Sequence, residues 1–285
     1  MTAVLESSPV APALQGVPET MLLTIWARST FAGDQQGLLH DPMLSQLMQR
    51  VDYDFSGRFG KPNAMCAIRS RQGDDHLRRF LARHPDATVV VLGEGLETQF
   101  WRVDNGQVQW FSVDLPESID IRRRLLPAHP RNHLIAGSAL EAGWLEKVSI
   151  QSTGPVFICA AGLLMYFTRS QVQTLLQRIA HTFSSGELFF DTIPPWFSRK
   201  TQRGWKLSPH YTTPAMPFGI PLAELPAFID GVPGLRLLSA PTYGDPYPAH
   251  LKFFALLGKI RYARDWLAPG LVHCAFGQDS AASGR

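Results

Sequence analysis

Thr88-Val89-Val90-Val91-Leu92-Gly93-Glu94-Gly95 is the stretch whose reading decides the fold. A β-branched apolar run of strand length, with almost no polar interruption, suits a central parallel strand buried on both faces. It breaks at two glycines, which let the backbone turn sharply and approach a ligand without interference from a Cβ. A second short run, Gln109-Trp110-Phe111-Ser112-Val113, ends in Asp114 about twenty residues later. A glycine turn after the first strand and a carboxylate after the second is the layout of a nucleoside site, with the carboxylate accepting from ribose hydroxyls. Alone, the glycine pair also suits any tight strand-to-helix turn. A dinucleotide fingerprint would want a third glycine at position 98, where this chain has Thr98. The pattern therefore favours an adenosyl ligand without a pyrophosphate over NAD or FAD.

Outward from this stretch, strands and helices alternate, which indicates an α/β fold with a mainly parallel sheet. Strands are expected at 88–92, 109–113, 133–136, 155–160, 187–192 and 235–239, with helices near 116–127, 141–148 and 169–182 between them. Thr168 is a natural N-cap for the last of these helices. Upstream, residues 1–18 read as a disordered arm. Residues 19–86 read as a helical cap with three helices: one from Glu19 to near Gly33, one opened by Asp41-Pro42 and running through Gln49, and one from Pro62 to about Arg83. The α/β domain is expected over 87–277. Residues 193–219, rich in proline and aromatic side chains, read as a substrate lid or as an ordered loop over the core. A helix from about His250 to Trp266 should precede a final strand at 271–276, with a disordered tail over 278–285.

With 285 residues and 45% hydrophobic composition, the chain can bury a sizeable core. The net charge is only +3, and the densest basic run, Arg122-Arg123-Arg124, fans around a helix. Nucleic-acid binding is therefore not expected. No apolar run is long enough to span a bilayer, and the N-terminus does not read as a secretory signal, so a cytoplasmic protein is expected. Cys66, Cys159 and Cys274 lie far apart and read as reduced, structural thiols. Neither they nor the nine histidines show metal-ligand spacing, so no metal is expected.

Four motifs, in order, carry a resemblance. They are Ala67-Ile68-Arg69-Ser70 with Asp74 downstream, Leu92 to Thr98 with Arg102, Val113-Asp114-Leu115-Pro116, and Gly162-Leu163-Leu164-Met165-Tyr166-Phe167. Together they resemble the leucine carboxyl methyltransferase superfamily, especially its bacterial branch related to the tetracenomycin polyketide O-methyltransferases. The resemblance runs from about Glu19 to Phe276. It implies a class I methyltransferase fold, Rossmann-like, in which a seven-stranded, mainly parallel sheet has its last strand antiparallel. The cofactor it implies is S-adenosyl-L-methionine.

Residue by residue, the resemblance implies that Arg69 pairs with the methionine carboxylate. Gly93, Glu94 and Gly95 would lie against the methionine and ribose, Asp114 would take both ribose hydroxyls, and Leu115 would pack on adenine. The family usually shows Asp-Leu after the third strand; here Gly137-Ser138-Ala139-Leu140 stands there, so Ser138 or a backbone carbonyl must substitute. Many members carry Glu before Gly162, where this chain has Ala161; the resemblance then implies either weaker cofactor affinity or a backbone carbonyl at Ala160 in place of that carboxylate.

Methyl transfer from a sulfonium is an in-line displacement, so alignment is the protein's main task. A carboxylate acceptor arrives ionised, whereas an ordinary alcohol needs a base within reach. No His-Asp or paired-carboxylate constellation stands beside the cofactor motifs. The expected acceptor is therefore a small molecule with a carboxylate or acidic hydroxyl, polyketide-like or another secondary metabolite. N- or C-methylation, or cofactor binding without transfer, are the alternatives. Tyr166 either orients an acceptor oxygen or packs with a satisfied hydroxyl. His210 and Tyr211 either touch substrate or form an ordinary surface pair, and Arg102 is either an ion-pair partner or a cofactor contact. Sequence leaves the oligomeric state open.

Overall fold

The computed structural model describes residues 9–33 and 38–277. β1 (Thr88–Leu92) is flanked by parallel β2 (Gln109–Asp114) and β4 (Val156–Ala160). β3 (Asn132–Ala136) lies outside β2, and β5 (Ser185–Thr192) lies outside β4. β9 (Gly270–Gly277) pairs antiparallel with β5, and β8 (Leu235–Ser239) antiparallel with β9. The sheet therefore has seven strands in the order β3-β2-β1-β4-β5-β9-β8, and only β9 runs against the rest. Successive connections leave β1 in one direction and β4 in the other, so a crevice opens where their carboxyl ends diverge.

Period-two burial explains the layering. Val90 and Leu92 turn to one face, with Ile158 and Leu188, and meet α7 (Gly143–Gln151), α8 (Arg169–Thr182) and α10 (Leu225–Asp230). Val89 and Val91 turn to the other face, with Phe157 and Phe189, against Ile68, Leu77, Phe80 and Leu81 of α4 (Met65–Arg83). Helix α4 thus covers the sheet itself, while α1 (Thr20–Ser29), α2 (Pro42–Arg50) and α3 (Phe55–Phe59) form a separate apolar cluster. That cluster rests on Leu96 of the glycine turn and on Ile121 and Leu125 of α6 (Pro116–Leu125).

Several elements depart from the sequence reading. Of the expected arm, residues 1–8 lie outside the described residues, as does the expected tail, but residues 9–18 are placed. Val10 is buried, and its backbone bridges Arg50 and Asp52. The expected helix over 250–266 is two, α11 (Lys252–Lys259) and α12 (Arg261–Leu267), because Ile260 takes an extended conformation between them. The segment 193–219 holds α9 (Pro195–Gln202) and a hairpin of β6 (Lys206–Ser208) and β7 (Tyr211–Thr212). A further short helix, α5 (Gln99–Val103), follows the glycine turn. No helix among the described residues is long and apolar enough to cross a membrane.

On the α4 face, the ring of His76 lies 4.1 Å from that of His273, which meets Glu187 at 2.8 Å. Burial first, then His273 and Arg79, hold the half-buried His76 down to about 3. The fold therefore refuses a proton that the unfolded chain accepts below its ordinary value. The contribution of His76 is complete above about pH 6.5 and is lost as pH falls towards 3, by at most ~1.4 kcal/mol per pH unit before solvent screening. Chemical denaturation from pH 7.5 to 5 should show falling stability, and His76→Leu should flatten that slope.

Candidate functional site

A cavity of about 260 Å³ opens at the carboxyl ends of β1 and β4. Each strand supplies part of its lining: Gly93 to Gly95 after β1, Asp114 and Leu115 after β2, Gly137 to Ala139 after β3, and Ala161 to Leu163 after β4. Arg69, Ser70 and Gly73 of α4 and Thr20, Met21, Thr24 and Arg28 of α1 close it. Gly93 and Gly95 both take positive φ, 65° and 51°. A Cβ on Gly95 would stand 2.9 Å from that of Met21, so the bare turn is what lets α1 lie across it.

Asp114 is oriented by backbone donors. Its Oδ2 accepts from the N–H of Gly95 and its Oδ1 from the N–H of Leu115, each at 2.7 Å. Burial pushes its carboxyl up, while these two donors and the Ser118 hydroxyl pull it down. Across the cavity, the guanidinium of Arg69 pairs with Asp191 of β5 at 3.1 Å. It lies flat on Gly162, where φ is 76° and a Cβ would come within 2.7 Å of it. Tyr166, in a 3-10 turn at Leu164–Tyr166, also lines the cavity, and its hydroxyl meets the Thr20 side chain. Burial pushes that hydroxyl up to about 12, so it stays protonated. Burial likewise pushes the Cys159 thiol up to about 12, which makes it inert.

A buried charge cluster underlies the turn. Arg102 grips Asp74 through Nε–Oδ2 at 2.7 Å and Nη2–Oδ1 at 2.9 Å. Its Nη1 reaches Asp41 and Glu97, both at 2.7 Å. Glu97 also pairs with Arg28 and accepts from Ser70 at 2.7 Å. Burial opposes the Glu97 charge, but Arg102, Arg28 and Ser70 outweigh it and hold the carboxyl well below the usual range. Arg102 is thus an ion-pair partner, and it does not line the cavity.

The structure brings together Arg69, Gly93, Glu94, Gly95, Asp114, Leu115, Ser138, Ala139 and Tyr166, all on the cavity wall. The carboxylate of Glu94, however, is committed to Arg122 at 2.9 Å and to the Trp110 indole at 3.3 Å. Four further sequence candidates fall outside the lining. Leu140 packs against the core and its carbonyl accepts from Arg178. Ala160 is buried in the core at the end of β4. His210 is exposed, and its carbonyl accepts from Arg58. Tyr211 is buried edge-on against Phe59 at 4.8 Å. Arg58 also pairs with Glu19 at 2.7 Å and lies over the Tyr211 ring, so the β6–β7 hairpin is latched to α3 beside the cavity.

Sequence reasoning missed the α1 wall. Its signal was there: Thr20, Thr24 and Arg28 recur every fourth residue, a polar stripe beside apolar Met21, Leu22 and Ile25. Asp191, a carboxylate at the end of an expected strand, was also passed over.

The lining suits an adenosyl group with a zwitterionic tail. It has a bare glycine turn, a carboxylate held by backbone donors with its edge on the cavity, and an arginine facing it from across the crevice. A sheet of this order with such a site defines a class I S-adenosyl-L-methionine-dependent methyltransferase. Residues 20–180 match the model of the leucine carboxyl methyltransferase family, and the chain belongs to that family. It is 32% identical over 244 residues to the tetracenomycin polyketide synthesis O-methyltransferase TcmP of Streptomyces glaucescens, covering 82% of this chain and 88% of that one. It is 29% identical to the S-adenosyl-L-methionine-dependent methyltransferase dpfgK of Gibberella zeae, over 62% of this chain and 66% of that one. Among solved structures, magnesium protoporphyrin IX methyltransferase from Synechocystis PCC 6803 with bound S-adenosylhomocysteine is 9% identical. It covers 88% of this chain and 93% of that one, with a TM-score of 0.44.

Replacing Arg102 by Met would take the guanidinium from two fully buried carboxylates, Asp41 and Asp74, while Glu97 keeps Arg28. Denaturant unfolding should show a loss of about 3–5 kcal/mol, the cost typical of removing one partner from a buried ion pair.

Proposed function

We propose that this methyltransferase acts on oxygen, transferring the methyl group to a carboxylate or acidic hydroxyl of a small polyketide-like or other secondary metabolite. One observation carries this reading: among the described residues, no base on the cavity wall is free to take a proton. Glu94 is committed to Arg122, Glu97 to Arg28 and Arg102, and Asp114, aimed by two backbone N–H groups, to the ribose hydroxyls of the cofactor. Among the described residues no histidine lines the cavity, and Tyr166 remains protonated. Such a site suits an acceptor that arrives ionised. The name of TcmP, an O-methyltransferase of polyketide synthesis, supports the same reading.

When bound, S-adenosyl-L-methionine would supply a methyl carbon on a sulfonium, with the C–S pair left on sulfur and the new C–O bond made by the acceptor oxygen's pair. The chain's part is to hold both reactants in line. Asp114 accepts from the ribose hydroxyls, Leu115 covers the adenine, and Ser138 and Ala139 border its far edge. Arg69 takes the methionine carboxylate, for which a guanidinium offers two parallel donors. Tyr166 donates to the acceptor oxygen and fixes its approach. Helix α1, which closes one side of the cavity, keeps water from the reacting atoms.

A labelled-methyl assay over carboxylic acids, phenols and amines tests this. Label should enter acids or acidic hydroxyls, and kcat/KM should stay flat from pH 6 to 9 for a carboxylate acceptor; incorporation only into amines or carbon would refute it. Asp114→Ala should weaken cofactor binding by ~1–3 kcal/mol, the worth of hydrogen bonds lost from a charged acceptor. Calorimetry measures that loss.

A further inference from the structure

Asp191 is 2% exposed, does not line the cavity, and stands directly behind Arg69. Three donors converge on it. The N–H of Gly162 reaches Oδ1 at 2.6 Å, while Arg69 Nη1 at 3.1 Å and the Tyr243 hydroxyl at 2.7 Å share Oδ2. The carboxylate therefore fixes two neighbours of the cavity at once. It sets the rise of the chain after β4 and the plane of the guanidinium lying on Gly162. Tyr243, also 2% exposed, comes from elsewhere in the fold. It belongs to the segment between β8 and β9 that leads into α11 and α12, and its backbone N–H is tied to the carbonyl of Pro269 at 3.3 Å.

A buried arginine with a single flexible counterion would turn towards that counterion and away from a ligand. Here Oδ2 is also held by Tyr243 and Oδ1 by the backbone, so Asp191 cannot follow the arginine. Arg69 is left with its remaining N–H groups free of Asp191. We propose that Asp191 and Tyr243 are positioning residues that hold Arg69 in the plane needed to receive the amino-acid end of the cofactor. The segment carrying α11 and α12 is thereby built into the cofactor site through one hydroxyl. The proposal rests on the reading that Arg69 takes the methionine carboxylate.

The test compares two ligands on the intact protein. S-adenosylhomocysteine carries the amino acid; 5′-methylthioadenosine has the same nucleoside and thioether without it. Tyr243→Phe keeps the ring and removes only the donor. Asp191→Asn must keep its oxygen on the Gly162 N–H, which turns its amide nitrogen onto the guanidinium. Calorimetry should show S-adenosylhomocysteine binding weakened about five-fold or more in both variants, the effect of one lost hydrogen bond, with 5′-methylthioadenosine unchanged. Arg69→Leu should give the same split, only larger. Equal weakening of both ligands in Tyr243→Phe would mark a general structural role and overturn the proposal. Wild-type affinity in Tyr243→Phe and Asp191→Asn, with the split kept in Arg69→Leu, would overturn it while leaving the Arg69 reading intact. No split in Arg69→Leu would overturn both.

Discussion

The pairing of Arg102 with two buried carboxylates, Asp41 and Asp74, and with Glu97 at the cavity wall is the constraint on which the rest of the structure depends. Asp41 caps α2, Asp74 lies in the middle of α4, and Glu97 belongs to the turn after β1, so one guanidinium ties two N-terminal helices to the glycine loop. Arg28 adds α1 through Glu97. Two arginines face three carboxylates, and Arg78, 3.7 Å from Asp74 at the rim, evens the balance. Charges this deep survive only when every partner is present, because each one alone would cost several kcal/mol to desolvate. The cluster therefore contributes geometry more than net stability. It determines where α1 and α4 stand over the crevice, and those two helices carry Thr20, Thr24, Arg28 and Arg69 to the cavity wall.

Around this clamp, the two ends of the cavity are built by different means. The Asp114 end is made by backbone: Gly95 and Leu115 present N–H groups that aim the carboxylate, and Gly95 admits Met21 because it has no side chain. The Arg69 end is made by side chains, with a guanidinium packed flat on Gly162 and countered by Asp191. A rigid, neutral-to-acidic floor for a sugar and a balanced charge pair for a zwitterion are what a nucleoside with an amino-acid tail requires. Glu94 and Glu97 on the cavity wall are already paired, which is why the proposed acceptor is one that arrives ionised.

Much of this was legible in the residues because it is local. Val89 to Leu92 alternate between two apolar faces, Asp114 closes a strand, and Thr168 caps α8 with a reciprocal bond to Gln171. Asp41 was legible as a cap and does accept from the N–H of Leu44 at 2.9 Å. Its second oxygen, bound to an arginine 61 positions away, was not, because that bond exists only once the chain has folded. The same holds for Arg58, which reaches from α3 to the His210 carbonyl and settles a hairpin too short to show a period. The break at Ile260 follows Gly258, a weak helix former in the last turn of α11, which the apolar pattern on either side masked. Asp191 and Tyr243 meet across strand ends 52 positions apart, which no spacing announces.

The account stands on the cofactor lying across the carboxyl ends of β1, β2 and β4, its sugar on Asp114 and its amino acid on Arg69. A crystal structure of the complex with S-adenosylhomocysteine measures this directly. It should show both ribose hydroxyls within hydrogen-bond distance of the Asp114 carboxylate and the homocysteine carboxylate on the Arg69 guanidinium. Density for the ligand elsewhere, or with its sugar turned away from Asp114, would contradict the account.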